Sequence, residues 1–197
     1  LASSSALRYL PDGQNGDAPA LTFRAWDQTS GTASTTGTRN TADTTINAGT
    51  TAFSSGTAQA TLAVSAVNDA PTLTPSAPTL TGISDGAVNN SGQTVASIVG
   101  TSVSDADNSA LEGIAITSLD AGSGVWQYSI DGGSNWLNTG TVSASSALLL
   151  RATDSVRFVP DGINGTSASL TYRAWDQSGA TTGQQGTKAD ATTNGGT

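Results

Sequence analysis

The side chains of this sequence that could do chemistry are almost all carboxylates. The 197 residues include no histidine, cysteine or methionine, and Glu112 is the one glutamate. Imidazole catalysis, thiol chemistry and the usual zinc ligands are therefore missing. What remains are aspartates and an amide near three turn signals: Asn68, Asp69, Asp105, Asp107 and Asp176. Oxygen donors of this kind suit a hard cation such as calcium, which takes about six to eight oxygen ligands.

The elements that must position these residues occur twice. Residues 8–28 return as residues 157–177, offset by 149 positions, and 13 of those 21 positions are identical. Ala42-Asp43 returns as Ala189-Asp190. Similarity at one long period indicates a tandem repeat. We expect residues 1–69 to be the C-terminal part of one repeat and residues 70–197 to be most of the next, without its final strand.

Composition narrows the class of protein. The net charge is −8 and the pI is about 4.1, which argues against nucleic acid and anionic lipid as partners. No apolar run approaches the roughly 20 residues of a membrane span, so we expect no membrane insertion. Abundant threonine, serine and glycine favour short strands joined by polar loops.

Hydrophobic alternation and turn signals predict an all-β chain without helices. Among them, Ala58, Ala60, Leu62 and Val64 share one face, which predicts a half-buried strand over 58–67. The full set of expected strands is 7–10, 21–25, 58–67, 72–83, 94–103, 114–119, 125–130, 147–159 with a break at Thr153-Asp154, and 169–175. Six or seven short strands per repeat imply an antiparallel, immunoglobulin-like β-sandwich with Greek-key connections.

This topology predicts where the carboxylates meet. In a seven-strand Greek-key sandwich, the entry linker and the loops after the second and sixth strands lie at one pole, because neighbouring strands run in opposite directions. There we expect a calcium site built from Asn68, Asp69, Asp105, Asp107 and Asp176, with Glu112 as a further ligand. Carboxylates brought together without a cation would repel one another. The alternative is that each aspartate caps its own turn.

Three of these segments resemble a known family. Residues 67–71 (Val-Asn-Asp-Ala-Pro) are similar to the linker between cadherin repeats, residues 105–107 (Asp-Ala-Asp) to their paired aspartates, and residues 174–177 to the end of their penultimate strand. The chain resembles the cadherin-like repeats of very large secreted bacterial adhesins. The resemblance implies a calcium-rigidified sandwich array at the bacterial cell surface. One or two ions are expected, since the first strand lacks a glutamate and no Asp-Arg-Glu motif occurs.

A second motif spans residues 129–136. Its sequence fits the Asp-box pattern Ser-x-Asp-x-Gly-x-x-Trp, which recurs in sialidases and other glycan-processing proteins. We expect a hairpin turn stabilised by Asp131, with glycan contact as the alternative. Nearby, Trp126, Tyr128 and Ile130 alternate and are expected in the core. In the strands at 21–25 and 169–175, Arg24 and Arg173 are expected to cover the rings of Trp26 and Trp175.

Two classes of function fit these patterns. One is a structural, adhesive repeat module of a large extracellular surface protein, acting as a calcium-stiffened stalk. The other is a carbohydrate-binding module or part of a glycan-processing protein. Glycoside hydrolysis needs two carboxyl groups about 5–10 Å apart in a cleft, and duplication of every candidate site is more typical of a scaffold, so we do not expect an enzyme. Without its final strand, the second repeat would offer an open edge beside 169–175, and neighbouring repeats or identical chains could add a strand there.

Overall fold

The computed structural model describes residues 1–178 and 184–193, and its strands pair only antiparallel. The chain forms two compact units, Leu1–Val67 and Asn68–Thr197. Their boundary lies two residues before the expected repeat boundary. Within the described ranges, no helix is both long enough and apolar enough to cross a membrane.

The first unit is a two-stranded ribbon with polar loops. Strand β1 (Ala20–Phe23) pairs with β2 (Ala58–Thr61), so that Ala20 lies opposite Thr61 and Phe23 opposite Ala58. Single bridges, Asp17 to Val64 and Trp26 to Phe53, extend the ladder at both ends. Every residue of both strands is exposed, and Ala52 is the one buried hydrophobic residue of this fully described unit.

In the first unit one strand prediction is wrong and another is confirmed only for Ala58–Thr61. Residues 7–10 form no strand, and the strand predicted over 58–67 is shorter and exposed instead of half-buried. Both segments need a facing or neighbouring strand to bury their apolar side chains. Leu7 and Leu10 are 63% and 76% exposed because this unit has no second sheet to cover them.

The second unit carries two four-stranded sheets. Its elements are β3 (Thr72–Leu73), β4 (Gln93–Thr94), α1 (Val95–Val99), β5 (Val103–Ser104), β6 (Gly113–Asp120), β7 (Gly124–Ser129), β8 (Leu137–Asn138), β9 (Ala147–Arg151), β10 (Ser155–Pro160), β11 (Ser169–Trp175) and β12 (Lys188–Ala189). One sheet has the order β4-β10-β7-β8 and the other β11-β6-β9-β12, while β3 and β5 form a separate pair.

The main core lies between these two sheets. Ile114 and Leu148 come from the second sheet and pack in one cluster with Tyr128 and Val156 from the first. On the other face of the second sheet, a smaller cluster forms around Trp175, with Ala115, Ala147 and Leu149. The central strands β6 and β9 are therefore buried on both faces, which explains their nearly continuous apolar sequence.

The strands of this core follow the sequence predictions closely. The strands expected over 114–119, 125–130 and 169–175 are confirmed, as is the break at Thr153-Asp154 that separates β9 from β10. The strand predicted over 72–83 is confirmed only for Thr72–Leu73.

The strand predicted over 94–103 is wrong, because residues 95–99 form the helix α1. Ile98 and Val99 follow Val95 by three and four positions, so the three side chains share one face of the helix, and all three are buried. The Thr94 side chain accepts a hydrogen bond from the Ser97 amide and caps the helix. The expectation of a chain without helices is corrected by this one turn.

Candidate functional site

The first two residues of the second unit are tied to two of its loops. The Asn68 side-chain amide donates to Asp176 Oδ2 at 2.8 Å and to the Asp69 carbonyl at 3.0 Å. The Asp69 backbone amide donates to Asp107 Oδ2 at 2.8 Å. Four of the six residues expected to bind metal are thus linked by direct hydrogen bonds.

Strand pairing explains why these residues meet. In the antiparallel pair of β3 and β5, Thr72 lies opposite Ser104. Residues just before β3 therefore lie beside residues just after β5, which brings Asp69 to the loop that begins at Asp105. In that loop, Asp105 Oδ1 accepts the Asp107 backbone amide at 2.9 Å, so Asp105 orients the neighbouring carboxylate.

Asp176 follows the last residue of β11 and is half-buried. Burial by itself raises the pKa of this carboxyl, but the hydrogen bonds from the Asn68 side chain and from Ser178 outweigh it and leave the pKa below its ordinary value. Ser178 donates to Asp176 Oδ1 through both its backbone amide and its hydroxyl, at 2.8 and 2.7 Å. Asp176 is therefore held ionised at neutral pH.

Glu112 stands apart from this network. Its backbone carbonyl accepts hydrogen bonds from the Gln177 side chain at 2.8 Å and from the Ala152 amide at 3.0 Å. Its side chain is exposed and makes no hydrogen bond to the other five candidates in the described part of the chain. The contact that brings Glu112 near the network is the hydrogen bond between its backbone carbonyl and the side chain of Gln177, the residue after Asp176.

The donor set of this network is oxygen only, which suits calcium and not zinc or copper. Each hydrogen bond to Asp105 and Asp107 uses one carboxylate oxygen. Across residues 1–178 and 184–193, no three His, Cys, Asp or Glu side chains lie close enough together to hold a metal ion. The donors fit calcium chemically, while the side chains hydrogen bond to the backbone and to one another. Calcium binding by these residues stays a prediction, and the hydrogen bonds of Asp105 and Asp176 within their own loops fit the turn-capping alternative.

Ser178 was missed in the sequence, although a signal for it is present. The pattern Asp-x-Ser/Thr occurs at 27–29, 43–45, 107–109, 176–178 and 190–192. At four of these places, all except 107–109, the aspartate accepts both the amide and the hydroxyl of the residue two positions later. Since the same turn occurs where no linker is present, the specific feature of Asp176 is its bond to Asn68.

The predicted Asp-box hairpin is present between β7 and β8. Asp131 Oδ1 accepts the Ser129 hydroxyl at 2.7 Å and the Asn135 amide at 2.9 Å, and Asp131 Oδ2 accepts the Asn135 side chain at 2.7 Å. These bonds lower the pKa of Asp131 to about 2, the Asn135 amide contributing most. The carboxylate shapes the turn and is fully used inside it.

The predictions made for the tryptophans and their neighbours are confirmed only in part. Trp126 and Tyr128 are buried, as predicted, but Ile130 is 38% exposed. Trp26 donates to the Ser30 carbonyl at 2.7 Å, while Arg24 bonds the Ser54 carbonyl. The arginine that stacks on an indole ring is Arg157, which lies 4.3 Å from the centre of the Trp136 ring.

Trp136 is therefore engaged within the protein. Arg157 covers one face of its ring, and the ring edge packs so closely on Gly92 that a β-carbon there would lie 2.9 Å from it. Gly92 also has a positive φ of 64°, so the site favours glycine twice over. The tryptophan of the Asp box supports the hairpin.

The first unit contains one pocket relevant to glycan binding. It has a volume of about 410 Å³ and is lined by Phe23, Arg24, Trp26, Asn40 and Phe53, among others. Aromatic rings beside amide and guanidinium groups are typical of sugar-binding surfaces, though the same side chains also close the ribbon over its loop. Of these residues, Phe23, Arg24 and Trp26 belong to the repeated segment, whereas Asn40 and Phe53 lie outside it.

Comparisons with known proteins found no matching family, curated protein or solved structure.

Proposed function

We propose that this chain is a structural repeat module of a large extracellular surface protein, in which calcium stiffens the junction before each sandwich. The observation that carries the proposal is the hydrogen-bonded network joining Asn68 and Asp69 to Asp107 and Asp176. It ties the first residues of one repeat to the two loops of that repeat where carboxylates accumulate.

The strand orders support a Greek-key sandwich of the cadherin-like type. In the second unit, β6 lies beside β11 in one sheet, and β10 lies between β4 and β7 in the other. The entry segment, the loop after β5 and the end of β11 then share one pole, as such a topology requires. The repeated sequence supports an array of such units, and among the proposed ligands Asp176 has its counterpart in Asp27.

Electrostatics supports a cation at this pole. Hydrogen bonds through Asn68 and Asp69 link Asp107 with Asp176, in a chain of net charge −8. No arginine or lysine takes part in these described hydrogen bonds. A bound calcium ion would neutralise these carboxylates and hold the linker against the loops. Asn68, Asp69, Asp105, Asp107 and Asp176 would hold it, with Glu112 next to them. Sites in extracellular modules have calcium dissociation constants of about 10⁻⁴–10⁻³ M, so we expect this site to fill only at calcium concentrations above that range.

Calcium titration tests this proposal. We expect calcium to raise the free energy of unfolding of the second unit, by about 2.7 kcal/mol at 100 times the dissociation constant. Asp105→Asn/Asp107→Asn should remove most of that gain while preserving the hydrogen bonds, because asparagine also accepts through oxygen. Thermal unfolding and hydrodynamic radius, each measured with calcium and with chelator, report the effect.

Asp161→Asn is the matched control for this test. It makes the same substitution at an aspartate whose bonds stay within its own turn, at Ile163 and Asn164. This variant should respond to calcium as the wild type does. If chelation leaves both the melting temperature and the hydrodynamic radius of the wild type unchanged, the calcium proposal is wrong.

The carbohydrate-binding alternative depends on the pocket of the first unit. Saturable binding of one glycan on an array, lost in Trp26→Ala and kept in Trp136→Ala, would favour a carbohydrate-binding module over a passive stalk. Trp26 lines the pocket, whereas Trp136 belongs to the other unit.

A further inference from the structure

The outer edge of β11 has no strand partner among residues 1–178 and 184–193. Strand β11 pairs with β6 on one side, where the Thr171 carbonyl accepts the Thr117 hydroxyl at 3.3 Å. Because backbone groups of successive residues point to opposite sides of a strand, those of Leu170 and Tyr172 face the outer edge. This edge presents donors and acceptors ready for another strand.

The first unit shows which sequence pairs with such an edge. Residues 169–172 of β11 are the repeat of β1, and β1 pairs with β2. In β1, the edge that pairs with β2 is the equivalent of this outer edge of β11. The Pro19 carbonyl, which accepts the Leu62 amide at 3.0 Å, lies on that edge. Pro19 corresponds to residue 168, whose backbone groups point to the same side of the strand as those of Leu170 and Tyr172. A β2-type strand therefore matches the free edge of β11 in its backbone pattern.

The side chains match as well. Transferring the β1–β2 register places Ala60 opposite Leu170 and Ala58 opposite Tyr172. Residues directly opposite each other in an antiparallel pair point to the same face. Since Leu170 and Tyr172 pack against the main core, Ala58, Ala60, Leu62 and Val64 would all point towards it. These are the residues that alternate in the sequence and that lie without a core in the first unit.

A groove beside the edge has room for them. It has a volume of about 1130 Å³ and runs along β11 between the two sheets, with Leu73, Leu80, Ile98, Phe158, Leu170 and Tyr172 in its lining. Apolar side chains of small and medium size that enter the groove would be removed from water, which stabilises the pairing. The number of backbone hydrogen bonds would not fall, because β2 would pair with β11 in the same pattern in which it pairs with β1. In the ribbon, by contrast, Leu62 is 49% exposed.

The same chain cannot supply this strand to itself. In the transferred register, Val64 lies beyond the N-terminal end of β11, whereas Asn68 is bonded to Asp176 just past its C-terminal end. Strand β11 spans about 20 Å at about 3.3 Å per residue. The four residues from Val64 to Asn68 reach at most about 14 Å.

We propose that β2 of one copy of this chain adds to the outer edge of β11 in a second copy, so that copies join head to tail. The acceptor is the edge at Leu170 and Tyr172 with its groove, and the donor is the strand at 58–64. This interaction needs no calcium, and the bond from Asn68 to Asp176 serves only to exclude β2 of the same chain as the donor.

Light scattering after size exclusion, across a concentration series, tests the proposal. The mass of the wild type should rise above the 19.5 kDa of one chain as concentration increases. Ala60→Asp/Leu62→Asp places two carboxylates in the groove and should stay monomeric. Gln59→Asp/Thr61→Asp adds the same charge to the opposite face of the same exposed strand and should associate like the wild type.

A labelled peptide with the sequence of residues 57–67 adds a direct measurement. It should bind the chain and slow amide exchange at Leu170 and Tyr172, while the peptide carrying the two groove-facing aspartates should not. The proposal is overturned by a wild-type chain that stays monomeric at every concentration, even if the free peptide binds. It is equally overturned if the two double variants associate to the same extent, because the donor face would then be irrelevant.

Discussion

At the residue scale, aspartate acts mainly as an acceptor for backbone amides. Asp12 and Asp161, at equivalent positions of the repeat, each accept amides two and three residues later. Asp131 combines the Asn135 amide, the Asn135 side chain and the Ser129 hydroxyl, and so has its pKa lowered furthest, to about 2. Hydrogen bonds to the ionised form, and not nearby cations, lower the pKa of Asp131 and of Asp161.

Asp131→Asn should therefore change how stability depends on pH. The folded pKa of about 2 lies below the ordinary 3.8, so this carboxylate adds stability that is present above about pH 4 and disappears as the pH falls towards 2. The wild type should melt at a higher temperature than the variant at pH 7, and the difference should shrink at pH 2.5. Calorimetry at both pH values measures it. Asp85→Asn, a change at an exposed aspartate, controls for the lost charge, and an equal difference at both pH values would contradict the assignment.

At the element scale, the turn between β9 and β10 connects the two sheets to the helix. The Asp154 side chain is 1% exposed and accepts the Arg151 amide at 2.7 Å and the Arg151 guanidinium at 2.8 Å. The hydrogen bond to Asp154 raises the pKa of Arg151. The Asp154 carbonyl accepts the Val95 amide at 2.8 Å, so the turn also positions the start of α1.

Arg151→Met should destabilise the second unit strongly. It keeps the packing of the side chain but leaves the buried Asp154 carboxylate without its cation, at a cost of about 3 kcal/mol for a broken buried pair. Urea unfolding followed by tryptophan fluorescence gives the change in free energy. Arg173→Met, on an exposed position of β11, is the control and should cost little. A loss below about 1 kcal/mol at Arg151 would show that the pair is solvated.

At the scale of the whole molecule, stability is distributed unevenly. Apart from Ala52, the buried hydrophobic residues in the described ranges belong to the second unit. Its sheets share a core around Ile114, Ile116, Leu148 and Leu150, whereas β1 and β2 are exposed throughout. A two-stranded ribbon without a buried face is marginally stable in water.

Hydrogen exchange on the full chain should show this difference. Amides of β1 and β2 should exchange orders of magnitude faster than those of β6 and β9, because the ribbon opens locally while the sandwich opens only by unfolding. The comparison is best made at low protein concentration, where strand addition between copies is minimal. Comparable protection in β2 and β6 would show that the first unit has its own cooperative stability.

Elements whose pattern is local can be predicted from the order of the residues alone. The alternation in β7, the apolar runs of β6 and β9, the break at Thr153-Asp154 and the repeated β11 were all readable, because each follows from side-chain periodicity and turn residues. The turn of the Asp box was equally readable, since its hydrogen bonds join residues at most six positions apart.

Which apolar segments are covered depends on contacts between elements far apart in the chain. Residues 58–64 alternate as a buried strand does, and residues 7–10 repeat the buried β10, yet both are exposed in the ribbon because burial requires a facing sheet. The sequence of residues 95–99 is compatible with a strand or with a helix. A helix forms there because it lets Val95, Ile98 and Val99 all pack on the core. The bond from Asn68 to Asp176 joins residues 108 positions apart, so it depends on how β3, β5 and β11 are arranged in space.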